Sequence, residues 1–294
     1  MLVVAFQGEL GAFSEAAARA YFGNGIDLSP SATFREVFLK VSNGEADRGV
    51  IPIENSLAGS VHENYDLLLE HNLHIVGEVK LRIVHHLVAN KGVALPDVRR
   101  VFSHPQALAQ CQEFLRSLSG VTPVPVYDTA GAAKELKASG MLDAAAISSA
   151  QAAIDYDLEI LASGIESNHQ NFTRFLIVAL HPDAGSGRPG NKKVSVAFAL
   201  RHAPGTLFKS IGVFALRDID LLKIESRPIP GTPWQYLFYL DFAGDVEEPR
   251  VGKALDHLGE LTSFLRVLGC YPIGDTIYSA TPFARERAGQ DSER

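Results

Sequence analysis

Two short polar clusters carry the side chains best suited to chemistry. Glu54-Asn55-Ser56 follows an apolar stretch and places a carboxylate, an amide and a hydroxyl on consecutive residues, more than one helix cap requires. Asn171-Phe172-Thr173-Arg174-Phe175 opens another apolar stretch. There the Arg174 guanidinium could hold a carboxylate through two parallel hydrogen bonds, and the Thr173 hydroxyl could donate a proton or a hydrogen bond. The plain alternatives are a structural hydrogen-bond partner at Glu54 and a surface arginine beside a strand-starting threonine. Helix starts add backbone donors. Thr33-Phe34-Arg35-Glu36 is a capping box, and Ser103-His104-Pro105-Gln106 offers a cap with proline just inside. Asp128-Thr129, Ser148-Ser149 and the glycine loop over 8–14 also lead into helical stretches. Each alone is an ordinary cap. Gathered at the carboxyl ends of strands in an open α/β sheet, such amides favour a small anion, above all a carboxylate.

Other chemistry lacks its motif. The glycine loop Gly8-Glu9-Leu10-Gly11 is not GxGxxG, and the sequence has no GxxxxGK[ST] and no GxSxG, so no motif points to a dinucleotide, ATP or a serine nucleophile. His85 and His86 lie on a strand-like stretch and point to opposite faces, which is poor geometry for one metal. Cys111 and Cys270 are too few for a disulfide framework or a thiolate cluster and fit a reducing cytoplasm. The chain has 27 Lys+Arg against 34 Asp+Glu, a net charge of -7 that argues against nucleic-acid binding. No apolar run approaches the ~20 residues of a membrane span.

The elements that must position these side chains follow from periodicity. At 294 residues and 46% hydrophobic, the chain has material for about two domains. Strands are expected over 3–6, 49–53, 75–88, 100–103, 124–127, 144–148 and 175–180, alternating with helical stretches such as 15–21, 34–41 and 108–115. This pattern predicts an α/β domain over 1–180 with a mostly parallel sheet. The chain is expected to cross into a second lobe near 75–85 and return near 155. Gly, Pro and Ser mark a linker over 181–192, and 281–294 reads as a polar tail. Between them, strand 193–200, helix 204–214, strands 221–228 and 234–242, helix 249–268 and strand 270–274 spell βαββαβ, the ferredoxin-like plan.

Together the clusters resemble the prephenate dehydratase family over nearly the whole chain. The carrying motifs are Gly8-Glu9-Leu10-Gly11-Ala12-Phe13-Ser14-Glu15, the run 49–56, Ser103-His104-Pro105-Gln106 with Gln110, and Thr173-Arg174-Phe175. The part over 193–280 is similar to an ACT regulatory module, with Glu225-Ser226-Arg227-Pro228 matching fully. The run 205–211 matches a GALxxxL pattern with Thr206 for Ala and Ile211 for Leu, and Asp220 stands where Asn is usual. The resemblance implies a two-lobed, periplasmic-binding-protein-like catalytic domain. It also implies conversion of prephenate to phenylpyruvate with loss of carbon dioxide and water, needing no metal or organic cofactor because aromatisation drives it.

The same resemblance assigns roles. Thr173 donates to the departing hydroxyl, while Asn55, Ser56, Ser103 and Gln110 orient the substrate. Ser14 and the helix starts hold a carboxylate, Arg174 holds the side-chain carboxylate or supports its loop, and Phe175 packs near the ring. Gly205, Leu207, Asp220, Glu225, Ser226, Arg227 and Pro228 line a site at an ACT-domain interface for L-phenylalanine as feedback effector. A homodimer or homotetramer through the ACT modules is implied, and the absence of a helical segment before residue 1 gives a monofunctional reading. The rivals are arogenate dehydratase, which runs the same elimination on the amino-bearing substrate, and a noncatalytic amino-acid sensor.

Overall fold

A computed structural model describes residues 1–182, 191–201, 203–229, 231–232 and 234–278. Most of the expected linker, the expected tail and the two prolines of the 230–233 turn lie outside these residues.

The apolar N-terminal run forms β1 (Leu2–Gln7), followed by α1 (Phe13–Phe22), β2 (Ile26–Ser31), α2 (Phe34–Ser42), β3 (Arg48–Asn55), β4 (Gly59–Ser60), α3 (His62–Glu70) and β5 (His74–Arg82). Neither β2 nor α3 is among the expected elements. β2 is a polar, proline-containing edge strand that pairs only with β1, so tertiary pairing rather than its own pattern makes it a strand.

The chain then changes sheets. The apolar stretch expected as one strand over 75–88 divides into β5 and β6 (His86–Ala89), because β6 pairs with different partners. The second lobe adds β7 (Arg100–Ser103), α4 (Pro105–Gln110), α5 (Gln112–Ser117), β8 (Thr122–Pro125), α6 (Thr129–Ser139), β9 (Ala144–Ser148), α7 (Ala150–Asp155) and β10 (Glu159–Ser163), with sheet order β10-β6-β9-β7-β8. The return comes between Ser163 and Phe172, not near 155, because β10 first pairs antiparallel with β6. β11 (Phe172–Ala179) then enters the first sheet, ordered β16-β5-β11-β3-β1-β2, between β5 and β3 and antiparallel to both. Both sheets are therefore mixed rather than mostly parallel. The crossing strands run against the βα units formed by β1–β3 and by β7–β9.

The C-terminal part consists of β12 (Lys192–Leu200), α8 (Thr206–Ala215), β13 (Leu221–Pro228), β14 (Tyr236–Ala243), α9 (Pro249–Leu261) and β15 (Thr262–Pro272). Its order β13-β14-β12-β15 with antiparallel neighbours is the ferredoxin-like arrangement. The helix expected over 249–268 stops at Leu261. Residues 262–267 are rich in β-branched and aromatic side chains, and they satisfy their backbone by pairing with β12. Finally β16 (Thr276–Ile277) returns to the first sheet, parallel to β5.

Strand alternation on β11 divides the interior. Phe175, Ile177 and Ala179 pack with second-lobe residues such as Val88 and Ala146, whereas Leu176 and Val178 pack with Ala197, Tyr239, Leu268 and Tyr271 of the C-terminal sheet. The first sheet is thus covered on one face by the cleft and second lobe and on the other by the C-terminal sheet. Contact with the latter is close. A Cβ on Gly269 would stand 2.0 Å from the Ile75 carbonyl oxygen, so only glycine fits there.

Candidate active site

A cavity of about 360 Å³ lies between the lobes, within the range of small-molecule sites. Lobe one contributes Gln7, Ser14, Phe34, Asn55, Thr173 and Phe175, and lobe two His104, Gln106, Gln110, Tyr127, Asp128 and Thr129, with His85 at the crossing.

Thr173 and Asn55 are directly opposite each other on β11 and β3, so their side chains share the cleft face. The next pair, Arg174 and Glu54, faces the other way, and the register shifts after it. The Asn55 Oδ1 accepts the backbone N–H of Leu57 (3.0 Å) and of Ala58 (2.9 Å). These donors fix the amide orientation, because an oxygen alone can accept from both. The Asn55 Nδ2 therefore donates to the Thr173 Oγ1 (3.0 Å) and to the Asn171 Oδ1 (2.8 Å). Asn171 in turn donates to the Gln110 Oε1 (3.0 Å), which also accepts from His85 Nε2 (2.8 Å). His85 thus carries its proton on Nε2, and the Gln110 Nε2 is a buried donor with no partner among the described residues.

Of the helix starts picked out from the sequence, most already have a side-chain cap. The Thr33 hydroxyl caps α2, His104 Nδ1 caps α4, and the Asp128 carboxylate accepts from Ala130 and Gly131 at the start of α6. α1 differs. Its N-cap is Ala12, with no side-chain cap, and Ser14 in its first turn lines the cavity. This helix start keeps backbone donors for a carboxylate.

Of the expected substrate-contacting residues, the structure brings Ser14, Asn55, Gln110, Thr173 and Phe175 together on the cavity wall. Three others lie elsewhere. Ser103 is fully buried and donates to the Ile147 carbonyl (2.7 Å), tying β7 to β9, although His104 and Gln106 of its motif do reach the cavity. Ser56 donates to the Gln170 carbonyl (2.8 Å) and accepts from the Phe172 amide (2.9 Å), pinning the entry to β11 from outside the cleft. Arg174 turns away from the cleft and pairs with Asp241 of β14 at 2.9 Å. One residue of alternation separates it from Thr173, so the two cannot face the same ligand. The readings of Ser56, Ser103 and Arg174 as substrate contacts are thereby corrected. Asn171, His85, His104 and Asp128 are cavity or network residues without an assigned site role in the sequence analysis. Asn171 had a signal, since it stands in the same cluster as Thr173.

The expected effector residues are divided in the same way. On β13, Glu225 meets the Ser60 hydroxyl (2.6 Å) and His62 (3.3 Å), and Arg227 meets Asp66 (2.6 Å), all in the first lobe. Ser226 and Pro228 are exposed on the opposite face. Glu225 and Arg227 therefore join the two parts of the chain from the face opposite Ser226 and Pro228. Gly205 begins α8 in the left-handed conformation (φ 77°), and Leu207 is partly exposed. Neither Leu207 nor Asp220 borders the interlobe cavity.

Burial holds the imidazoles of His85, His86 and His104 below the ordinary value of 6.5. They carry no penalty where imidazole is neutral in both states. Below about 6.5 the unfolded chain binds more protons, so stability falls as pH falls. The thermal midpoint is expected to drop between about pH 7.5 and 5.5, above the range in which carboxylates titrate. A flat midpoint across that window contradicts neutral, buried imidazoles.

A two-lobed α/β body whose cleft offers amides, a hydroxyl and an uncapped helix start, joined to a ferredoxin-like sheet, belongs to the class of proteins that take a small molecule between two lobes. The comparisons with known proteins are specific. The family model of prephenate dehydratase matches residues 4–183. Arogenate dehydratase/prephenate dehydratase 2, chloroplastic, of Arabidopsis thaliana is 48% identical over 286 residues, covering 93% of this chain and 74% of that protein. The prephenate dehydratase of Arthrobacter aurescens, solved in complex with L-Phe, superposes with TM-score 0.84 at 32% identity, covering 96% of this chain and 92% of that one. A protein described as a novel type of quorum quenching acylase superposes with TM-score 0.85 at 34% identity, covering 92% and 98%. The chain belongs to the prephenate dehydratase family. Among the described residues, no helix is long and apolar enough to cross a membrane.

Proposed function

We propose that the cleft removes carbon dioxide and water from prephenate, giving phenylpyruvate, and from arogenate, its amino counterpart, giving phenylalanine. The observation that carries this reading is the Thr173–Asn55 pair. The Thr173 oxygen accepts from an amide whose orientation is fixed by backbone donors, so its own hydrogen is directed to a ligand. In the reaction the ring carboxylate leaves as carbon dioxide. Its electron pair completes the aromatic ring, and the hydroxyl across the ring departs, taking up a proton to become water. A hydrogen bond from Thr173 stabilises that hydroxyl as negative charge develops on it. The first turn of α1 and the free Gln110 amide hold the side-chain carboxylate, and Phe175 packs against the ring. Neutral donors suit a reaction in which one carboxylate must lose its charge, since tight ion pairing there would favour the ground state.

The part over 193–280 acts as an ACT module that binds L-phenylalanine and lowers activity. Its ferredoxin-like order and the relative solved with L-Phe support this. Pairing of copies through this part is supported by exposed apolar side chains on α8 and its C-cap and on the free-edged strand β13, namely Phe208, Leu216, Leu222 and Ile224. Two free cysteines fit a reducing compartment such as cytoplasm.

The deciding measurement is turnover by the purified full chain. Phenylpyruvate is followed from prephenate and phenylalanine from arogenate, each with and without added L-phenylalanine. Turnover inhibited by L-phenylalanine is expected. A folded protein that binds L-phenylalanine and turns over neither substrate is the noncatalytic sensor instead.

A further inference from the structure

The interlobe cavity has an unusual charge pattern for a site that takes dicarboxylates. No lysine or arginine borders it among the described residues, and the one carboxylate on its wall is Asp128. Its two histidines are held neutral by burial. Asp128 itself is buried, at 8% exposure, and is fixed by three backbone donors: Glu9 (3.1 Å), Ala130 (3.0 Å) and Gly131 (3.2 Å). A carboxylate offers about four acceptor positions, so these bonds leave room for a donor from the cavity.

The two substrates differ in the group that such a carboxylate senses. Prephenate bears two carboxylates and a ketone. Arogenate bears the same carboxylates and an ammonium in place of the ketone. A fixed negative charge in a wall without cations repels the first and attracts the ammonium of the second, and low local dielectric strengthens both effects.

We propose that Asp128 is the specificity residue of this cleft, accepting the substrate ammonium and favouring the α-amino acid over the α-keto acid. The inference rests on the dehydratase reading and deepens it. Asp128→Asn is the informative variant, because it removes the charge while keeping one acceptor oxygen for the helix amides. Asp128→Ser, also a good cap, serves if the first variant folds poorly.

The test is kcat/KM for both substrates, at constant ionic strength, in the wild-type full chain and in each neutral variant. Wild type is expected to prefer arogenate, and the arogenate-to-prephenate ratio should fall at least about fivefold in the variant. A smaller change in that ratio overturns the proposal, including the case in which both substrates lose equally, since that is how a mere cap would behave. Absence of turnover of either substrate by wild type instead sinks the dehydratase reading, and this inference with it.

Discussion

Replacing Thr173 by alanine is expected to lower kcat by at least about 100-fold in a protein that still folds. The side chain is 9% exposed, and among the described residues its oxygen accepts from Asn55 while its hydrogen has no protein acceptor. Removing the hydroxyl leaves the Asn55 amide bonded to Asn171 at 2.8 Å, so the network closes around the gap and stability changes little. What is lost is the donor that meets the departing hydroxyl. Thr173→Ser keeps that donor with a freer rotor and should retain part of the activity. Steady-state kinetics on both variants, with circular dichroism to verify folding, check the assignment. Near-normal turnover by a folded Thr173→Ala protein would remove Thr173 from the chemistry.

The sequence marks this pair because both residues sit in polar clusters beside strands. What it could not supply was their pairing. Thr173 and Asn55 are 118 residues apart, and the register that sets them opposite each other depends on β11 entering the first sheet after an excursion through the second lobe. The orientation of Arg174 was legible. The alternation rule that separates His85 from His86 applies equally to Thr173 and Arg174, and it predicts that only one of them faces the cleft. Ser56 and Ser103 were not separable by such a rule, because a small hydroxyl can satisfy a nearby carbonyl as readily as a ligand. β2 and α3 were hidden for a related reason. Their periodicity is weak, and neighbouring elements, not their own composition, hold them in place. Asp128 was visible only as a cap, since nothing local shows which caps border a cavity.

Breaking the ion pair behind Thr173 is expected to cost about 3–5 kcal/mol of stability, the range for removing one partner from a buried pair. Arg174 meets Asp241 at 2.9 Å, and Lys193 pairs with Glu78 and lies 3.7 Å from Asp241. Ser195 completes the Asp241 shell. Asp241, Lys193 and Glu78 are 7%, 2% and 1% exposed, so water cannot replace a missing partner. Burial opposes charge on Asp241, yet Arg174 and Lys193 hold its carboxyl below the usual range. Burial is likewise the largest single effect opposing charge on Arg174, and Asp241, Tyr271, Glu78 and Tyr65 together outweigh it. Asp241→Asn leaves two buried cations with less anion to face. At roughly 2–4 °C per kcal/mol for chains of this size, the melting midpoint should fall by about 6 °C or more. Arg174→Met should destabilise similarly by exposing Asp241 to an apolar neighbour. Because each variant removes the same contact, the double variant should be less destabilised than the sum of the two, which a double-mutant cycle in urea measures directly. A substrate-binding arginine behaves differently. If Arg174→Met raises KM at least about tenfold with unchanged stability, while Asp241→Asn is silent, then Arg174 serves the cleft and this account of β11 is wrong.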